Sequence, residues 1–239
     1  MREEFIRLLT EGLAAMGITP PEGAVEKMAQ FQEMLAEANE HMNLTRVSFE
    51  PREAVDRNYL DSVAPLAHGL ADNAKYVLDI GSGAGFPGIP MAIMIGHHAR
   101  VVMVDSLKKR VLFLQEAIDK LGLNAEAVHS RMEDFSRAKR GVFDLATARA
   151  VAKVGVLSEL AVPALKVAGS LVAYKGPSAG EELAEAERAL RILGAEHAGT
   201  LPAPIPGRDW EHSLVVVKKV KKTPDQYPRK AGEPEKKPL

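Results

Sequence analysis

The sequence predicts an α/β fold: a doubly wound, mostly parallel sheet with an N-terminal helical extension. Three observations carry this. Short apolar runs that read as buried parallel strands recur from Tyr76 onward, stretches of helical periodicity alternate with them, and residues 1–70 show helical periodicity alone. At 239 residues and 46% hydrophobic, the chain can bury one large core and sits near the upper size of a single domain.

The elements follow in chain order. Phe5, Leu8, Leu9, Leu13 and Met16 recur at helical spacing until Gly17 and Pro20-Pro21 break the run. Val25, Met28, Phe31, Met34, Leu35 and Ala38 repeat the pattern in a second helix. Asn43-Leu44-Thr45 reads as a loop, and Pro51, suited to a first helical turn, opens a third helix through about residue 70. Tyr76-Val77-Leu78-Asp79-Ile80 is the first strand, short, apolar and ended by glycine. Further strands are predicted over 101–104, 125–129, 143–146 and 170–174, with helices over 108–121 and 154–165 between them. A helix over 181–193 and two strands over 195–201 and 213–220, joined by a Pro-rich stretch, predict an antiparallel hairpin at the sheet edge. The expected organisation is a helical extension over 1–70, the sheet domain over 71–222 and a basic Pro-rich tail over 223–239.

The chain has no Cys, which excludes disulfides, thiolate metal sites and cysteine nucleophiles and suits a reducing cytosol. No apolar run approaches the roughly 20 residues needed to span a bilayer, and residues 1–9 are charged rather than signal-like, so a cytoplasmic location and no membrane partner are expected. The net charge of -1 hides an asymmetry: residues 208–239 hold nine Lys/Arg against five Asp/Glu, leaving the first 207 residues acidic. Such a basic end is either a phosphate-contacting tail or a solubilising one.

The segment Asp79-Ile80-Gly81-Ser82-Gly83-Ala84-Gly85-Phe86-Pro87-Gly88 follows a strand and opens a helix, the place where doubly wound sheets bind nucleotide-like ligands. Two ligands compete for it. Gly83-x-Gly85-x-x-Gly88 matches a dinucleotide fingerprint, whereas Asp79-x-Gly81-x-Gly83-x-Gly85 matches the first motif of methyltransferases. A dinucleotide would put its anionic pyrophosphate beside Asp79, while S-adenosylmethionine carries an ammonium and a sulfonium that a carboxylate favours. Asp79 therefore favours the methyl donor, with a cap or loop hydrogen bond as its structural alternative. Asp105, ending the second strand, is placed to accept from ribose hydroxyls of either ligand. Met132 and Glu133, after the third strand, would lie beside the adenine, although Met132 could equally be core packing.

These stretches together resemble the bacterial small-subunit (16S) ribosomal RNA guanine-N7 methyltransferase family, known as RsmG or GidB. The resemblance runs through Asn43-Leu44-Thr45, Asp61-Ser62, the glycine loop with Phe86-Pro87-Gly88-Ile89-Pro90, Asp105-Ser106 with Lys108-Lys109-Arg110, Ala148-Arg149-Ala150, Lys175-Gly176 and Tyr227-Pro228-Arg229-Lys230-Ala231-Gly232. It implies a class I, Rossmann-like methyltransferase fold and an enzyme that transfers a methyl group from S-adenosylmethionine to N7 of a guanine. It further implies that Gly81, Phe86, Met132, Glu133 and Arg149 bind the donor. Where the family usually carries His, three residues before its Asp-Ser pair, this chain has Asn58, so no role for that His is carried over.

Guanine N7 has an in-plane lone pair and no proton, so the reaction needs alignment rather than a general base, and no catalytic residue is expected. The seven His show no metal-ligand spacing, and no metal is expected. Substrate binding should rest on phosphate contacts, for which Lys108, Lys109, Arg110, Lys175, Arg229 and Lys230 are the candidates, the first three being equally readable as a solvated helix turn. The expected partner is 16S ribosomal RNA or the small subunit, with no obligate protein partner. The alternatives are an RNA-binding assembly factor that keeps a methyl-donor pocket without turnover and a nicotinamide-dependent oxidoreductase, for which the sequence offers no proton donor.

Overall fold

The computed structural model describes all 239 residues. Seven strands form one sheet in the order β3-β2-β1-β4-β5-β7-β6. They are β1 (Tyr76–Ile80), β2 (Arg100–Asp105), β3 (Ala125–His129), β4 (Phe143–Arg149), β5 (Leu165–Lys175), β6 (Ala195–Pro202) and β7 (Ser213–Lys219). The first five run parallel, and β7 enters antiparallel between β5 and β6. The hairpin predicted at the edge is thus present, with β6 outermost. The strand order reverses at β1, where β2 and β4 flank it, and ligand crevices of such sheets open at the carboxyl ends of the strands at that point.

The helices are α1 (Arg2–Ala15), α2 (Ala24–Met42), α3 (Pro51–Ala54), α4 (Asp61–Val63), α5 (Gly88–Ile95), α6 (Lys108–Leu121), α7 (Met132–Ala138), α8 (Val154–Ala161), α9 (Ala179–Leu193) and a short α10 (Glu233–Lys236). Asn43 closes α2 in the left-handed region (φ 49°), which is why the loop predicted there begins at that residue. The predicted third helix is continuous in path but not in type: a π-helical stretch over Val55–Leu60 separates α3 from α4, and a 3₁₀ stretch over Ala64–His68 follows. Within it Asp56, Asn58, Tyr59, Leu60, Asp61 and Ser62 are all buried.

The largest boundary differences from expectation lie on either side of Pro163. The helix predicted over 154–165 stops at Ala161: Val162 still has helical backbone, but Pro163 has no N–H to continue the ladder, and β5 starts at Leu165 rather than 170. The extra strand residues are accommodated by a bulge: Leu165 pairs with Phe143 and Ser170 with Leu145, with Ala168 at φ 70° between.

Apolar residues pack on both faces of the sheet. On one, α1, α2 and the 51–68 run share a core with α5, α6 and β1. There Phe31 of α2 and Tyr59 pack edge-on against Phe86 of the glycine loop, with ring centroids at 5.6 and 5.3 Å. The N-terminal helices therefore buttress the loop. On the other face α7, α8 and α9 pack with residues of β4, β5 and β7.

Candidate methyl-donor site

A cavity of about 410 Å³ opens beside the carboxyl ends of β1, β2 and β3, within the usual size of a small-molecule site. Its walls include Gly81, Asp105, Ser106, Arg110, Met132 and Glu133, and from the opposite end of the sequence Gly232 and Glu235.

The glycine loop is a set of unequal glycines. Gly81 (φ 65°) touches the cavity, and a Cβ there would come within 2.9 Å of Val151. A Cβ on Gly83 (φ 58°) would meet only Gly81 O at 3.8 Å, so this backbone stands open. Gly85 (φ 105°) faces inward, its Cβ position lying 2.9 Å from both Ile89 and Phe31. Gly83 thus leaves approach room to a ligand, whereas Gly85 serves packing.

Asp79 has no exposed surface and does not line the cavity. Its Oδ2 accepts from Gly88 N–H at 3.1 Å and its Oδ1 from the Thr147 hydroxyl at 3.1 Å. It satisfies one of the orphan donors at the start of α5. Burial pushes its carboxyl up to about 6, a rise that the hydrogen bonds from Ser82, Thr147 and Gly88 only partly offset. Its effect on a cationic ligand is therefore that of a nearby charge and of a loop fastener.

Asp105 does reach the cavity. Its Oδ2 accepts from Gly83 N–H at 2.9 Å and its Oδ1 from Leu107 N–H at 2.8 Å, which ties the end of β2 to the loop and leaves acceptor capacity for a ribose diol. Arg110 lies 3.5 Å from the same carboxylate, and its buried Nε has no partner. Met132 and Glu133 open α7 on the cavity wall, and Glu133 Oε1 accepts from Gly232 N–H at 2.7 Å. A diol acceptor and an unpaired arginine nitrogen on one wall, with the open backbone of Gly83 tied to that acceptor, fit a nucleoside with a charged amino-acid arm.

Phe86 is buried in the aromatic cluster rather than on the cavity wall. Arg149, at the end of β4, stacks over Phe86 at 5.5 Å and binds Asp61 Oδ2 at 2.8 Å. His212, just before β7, places Nδ1 3.0 Å from Asp61 Oδ1. Burial alone would raise Asp61, but the hydrogen bond from His212 and the Arg149 guanidinium hold it below the ordinary carboxylate range. The sequence reading missed this Asp61–Arg149–His212 cluster; the one signal was an acid inside a helical run of buried residues.

The chain matches the family described as GidB, rRNA small subunit methyltransferase G, over residues 24–203. It belongs to that family. Among GidB relatives, ribosomal RNA small subunit methyltransferase G of Clostridium perfringens (strain 13) is 41% identical over 239 residues, covering 99% of each chain. The protein of that name from Streptococcus gordonii is 44% identical with the same coverage, and that from Geobacillus thermodenitrificans is 43% identical over 95% of this chain and 96% of its own. Among solved structures, an O-methyltransferase from Bacillus cereus in complex with SAH aligns with TM-score 0.56 at 15% identity, covering 80% of this chain and 91% of that one. Cofactor-bound Rv0187 from MTB aligns with TM-score 0.57 at 18% identity, covering 82% and 91%. The fold is that of class I methyltransferases, and as a GidB member the chain is a methyltransferase that takes its methyl group from S-adenosylmethionine.

The six basic candidates for RNA fall into two groups. Lys108 and Lys230 are exposed and their ammonium groups make no hydrogen bond or ion pair within the fold; Lys109 is exposed as well. The other four are already engaged within the fold. Lys109 Nζ donates to Met42 O at 2.9 Å, and Arg110 lines the cavity beside Asp105. Lys175 is held at 2.7 Å by Glu182 and by Ala152 O, with a side chain only 10% exposed, so a phosphate would have to break both contacts. Arg229 is bound to buried Glu159. Charge alone suggested these last two; burial opposes the role. No helix is long and apolar enough to cross a membrane.

Proposed function

We propose that this GidB protein methylates N7 of a guanine in 16S ribosomal RNA, within the free RNA or the small subunit. The observation that carries this reading is the match along almost the full length to relatives named as ribosomal RNA small subunit methyltransferases. The site supports N7 as the acceptor atom. Two of its carboxylates, Asp105 and Glu133, are engaged with backbone N–H groups, as donor-holding groups would be, and a lone pair that carries no proton needs no base to activate it. What N7 transfer does need is in-line placement of the nitrogen and the sulfonium methyl, an arrangement that can lower a barrier by about 7 to 11 kcal/mol. Lys108 and Lys230, both exposed, are the residues we place at RNA phosphates.

The test is incubation of the purified protein with labelled S-adenosylmethionine and either protein-free 16S RNA or small subunits, followed by nucleoside analysis. Labelled 7-methylguanosine in either substrate is the expected result. Label on another base or atom would overturn the N7 reading. RNA binding without any label would instead mark an assembly factor.

A further inference from the structure

The segment over 223–239 is built into the protein. Thr223, Tyr227 and Pro234 are buried. Arg140 donates to Tyr227 O and, at 2.8 Å, to Thr223 O, and Arg137 donates to Pro228 O at 2.9 Å and Arg229 O at 3.2 Å. Arg229 then grips Glu159 of α8 with Nε at 2.8 Å and Nη2 at 2.6 Å, while its own N–H adds a bond of 2.9 Å. Glu159 is 1% exposed and is the one charged residue of its helix, Val154-Gly155-Val156-Leu157-Ser158-Glu159-Leu160-Ala161. A buried carboxylate left alone there would be strongly destabilising, so Arg229 is its counter-ion.

Beyond this anchor the chain turns at Gly232 (φ 79°). Its N–H donates to Glu133 Oε1 at 2.7 Å, and Gly232 and Glu235 form part of the same cavity wall as Asp105, Met132 and Glu133. A basic stretch readable from the sequence as either a phosphate-contacting or a solubilising tail contributes, in the fold, Gly232 and Glu235 to the cavity wall.

We propose that residues 227–239 complete the methyl-donor site at its adenine end, with Gly232 as the positioning residue for Glu133 and the Arg229–Glu159 pair as the anchor. This rests on the reading of the cavity as the donor site. With one carboxylate oxygen of Glu133 engaged by Gly232, the other is left to accept from the exocyclic amine of adenine.

Calorimetry with S-adenosylmethionine and S-adenosylhomocysteine tests this on the full chain, on Arg229→Met and on Gly232→Pro, with thermal unfolding to confirm that each variant is folded. Proline lacks the N–H that Glu133 accepts and cannot adopt the backbone found at 232. At least tenfold weaker binding of both ligands is expected in each variant, with Arg229→Lys recovering part of the loss and Lys222→Ala, at an exposed residue outside the segment, binding like wild type. In methylation assays the donor KM should rise while kcat at saturating donor stays near wild type, a split that general destabilisation does not produce. Folded variants that bind donor within twofold of wild type overturn the proposal. A fall in RNA affinity alone, with donor affinity kept, overturns it too and makes the tail a phosphate contact. Should the wild-type chain bind neither ligand, the reading of the cavity itself fails, which is a separate result.

Discussion

Asp79 Oδ2 lies 3.1 Å from the backbone nitrogen of Gly88, so the acid that precedes the glycine loop also caps the helix that follows it. The contact holds a carboxylate with no exposed surface, at a carboxyl pushed up to about 6 by burial. A bound sulfonium and ammonium favour the ionised form. Donor affinity should therefore strengthen as pH rises through about 6, and the dependence should vanish in Asp79→Asn, whose side chain can keep an acceptor toward Gly88. Calorimetry between about pH 5 and 8 reads it; identical profiles for the two proteins would show that Asp79 is not felt by the donor.

The same residue makes a stability prediction of defined sign. The folded-state pKa lies above the ordinary carboxylate value of 3.8, so its contribution is fully present below about pH 4 and is lost as pH rises through about 6. The shift corresponds to about 3 kcal/mol of penalty at neutral pH. In the absence of donor, Asp79→Asn should melt above wild type at about pH 7.5, and the gap should close near pH 4.

Gly83 and Gly85 should fail in different ways. Gly83→Val points a branched side chain into open space beside the cavity, so a folded protein that has lost donor binding is expected, weakened by about 1 to 2 kcal/mol of left-handed backbone strain. Gly85→Ala presses on Ile89 and Phe31 and should chiefly lower the melting temperature. Unchanged donor affinity in a folded Gly83→Val would remove the loop from the site.

Asp105→Ala removes the acceptor for both Gly83 and Leu107 N–H groups as well as for a ribose. Donor affinity should fall by about 1.5 to 3 kcal/mol, the scale of hydrogen bonds to a charged group. An effect of only a few tenths of a kcal/mol, measured by calorimetry, would place Asp105 away from the donor.

Lys108 and Lys175 should separate in salt titrations of RNA binding. Removing one cation that neutralises a phosphate lowers the slope of log affinity against log salt by about 0.7 to 0.9. Lys108→Ala should show that drop. Lys175→Ala, which strands Glu182, should leave the slope alone and lower thermal stability.

The strands were legible because their apolar runs are short and separated by stretches of helical periodicity; the register and the bulge opposite Phe143 were not, since they depend on Ala168 taking a conformation rare for its type. The glycine loop could be found from spacing, and Asp79 could be singled out, yet only packing shows that its oxygens are turned toward Gly88 and Thr147. Long-range pairing was the main gap. Asp61 meets Arg149 and His212 from 88 and 151 residues away, and no local pattern announces such partners. For Arg229, charge pointed outward to RNA, while the informative residue was Glu159, an acid in an apolar helix that required a cation from elsewhere.

The position of β7 bears on how the protein is made. Because β7 lies between β5 and β6, a chain leaving the ribosome N-terminus first presents β6 before the strand that joins it to the sheet exists. Two unpaired strand edges, the outer one of β5 and that of β6, persist until residue 219 has emerged, the kind of edge that invites pairing with other chains. Gly232 and Glu235 reach the cavity wall later still. A nascent chain can thus have its glycine loop and every strand through β5 in place while the last wall of the cavity beside that loop is still unmade.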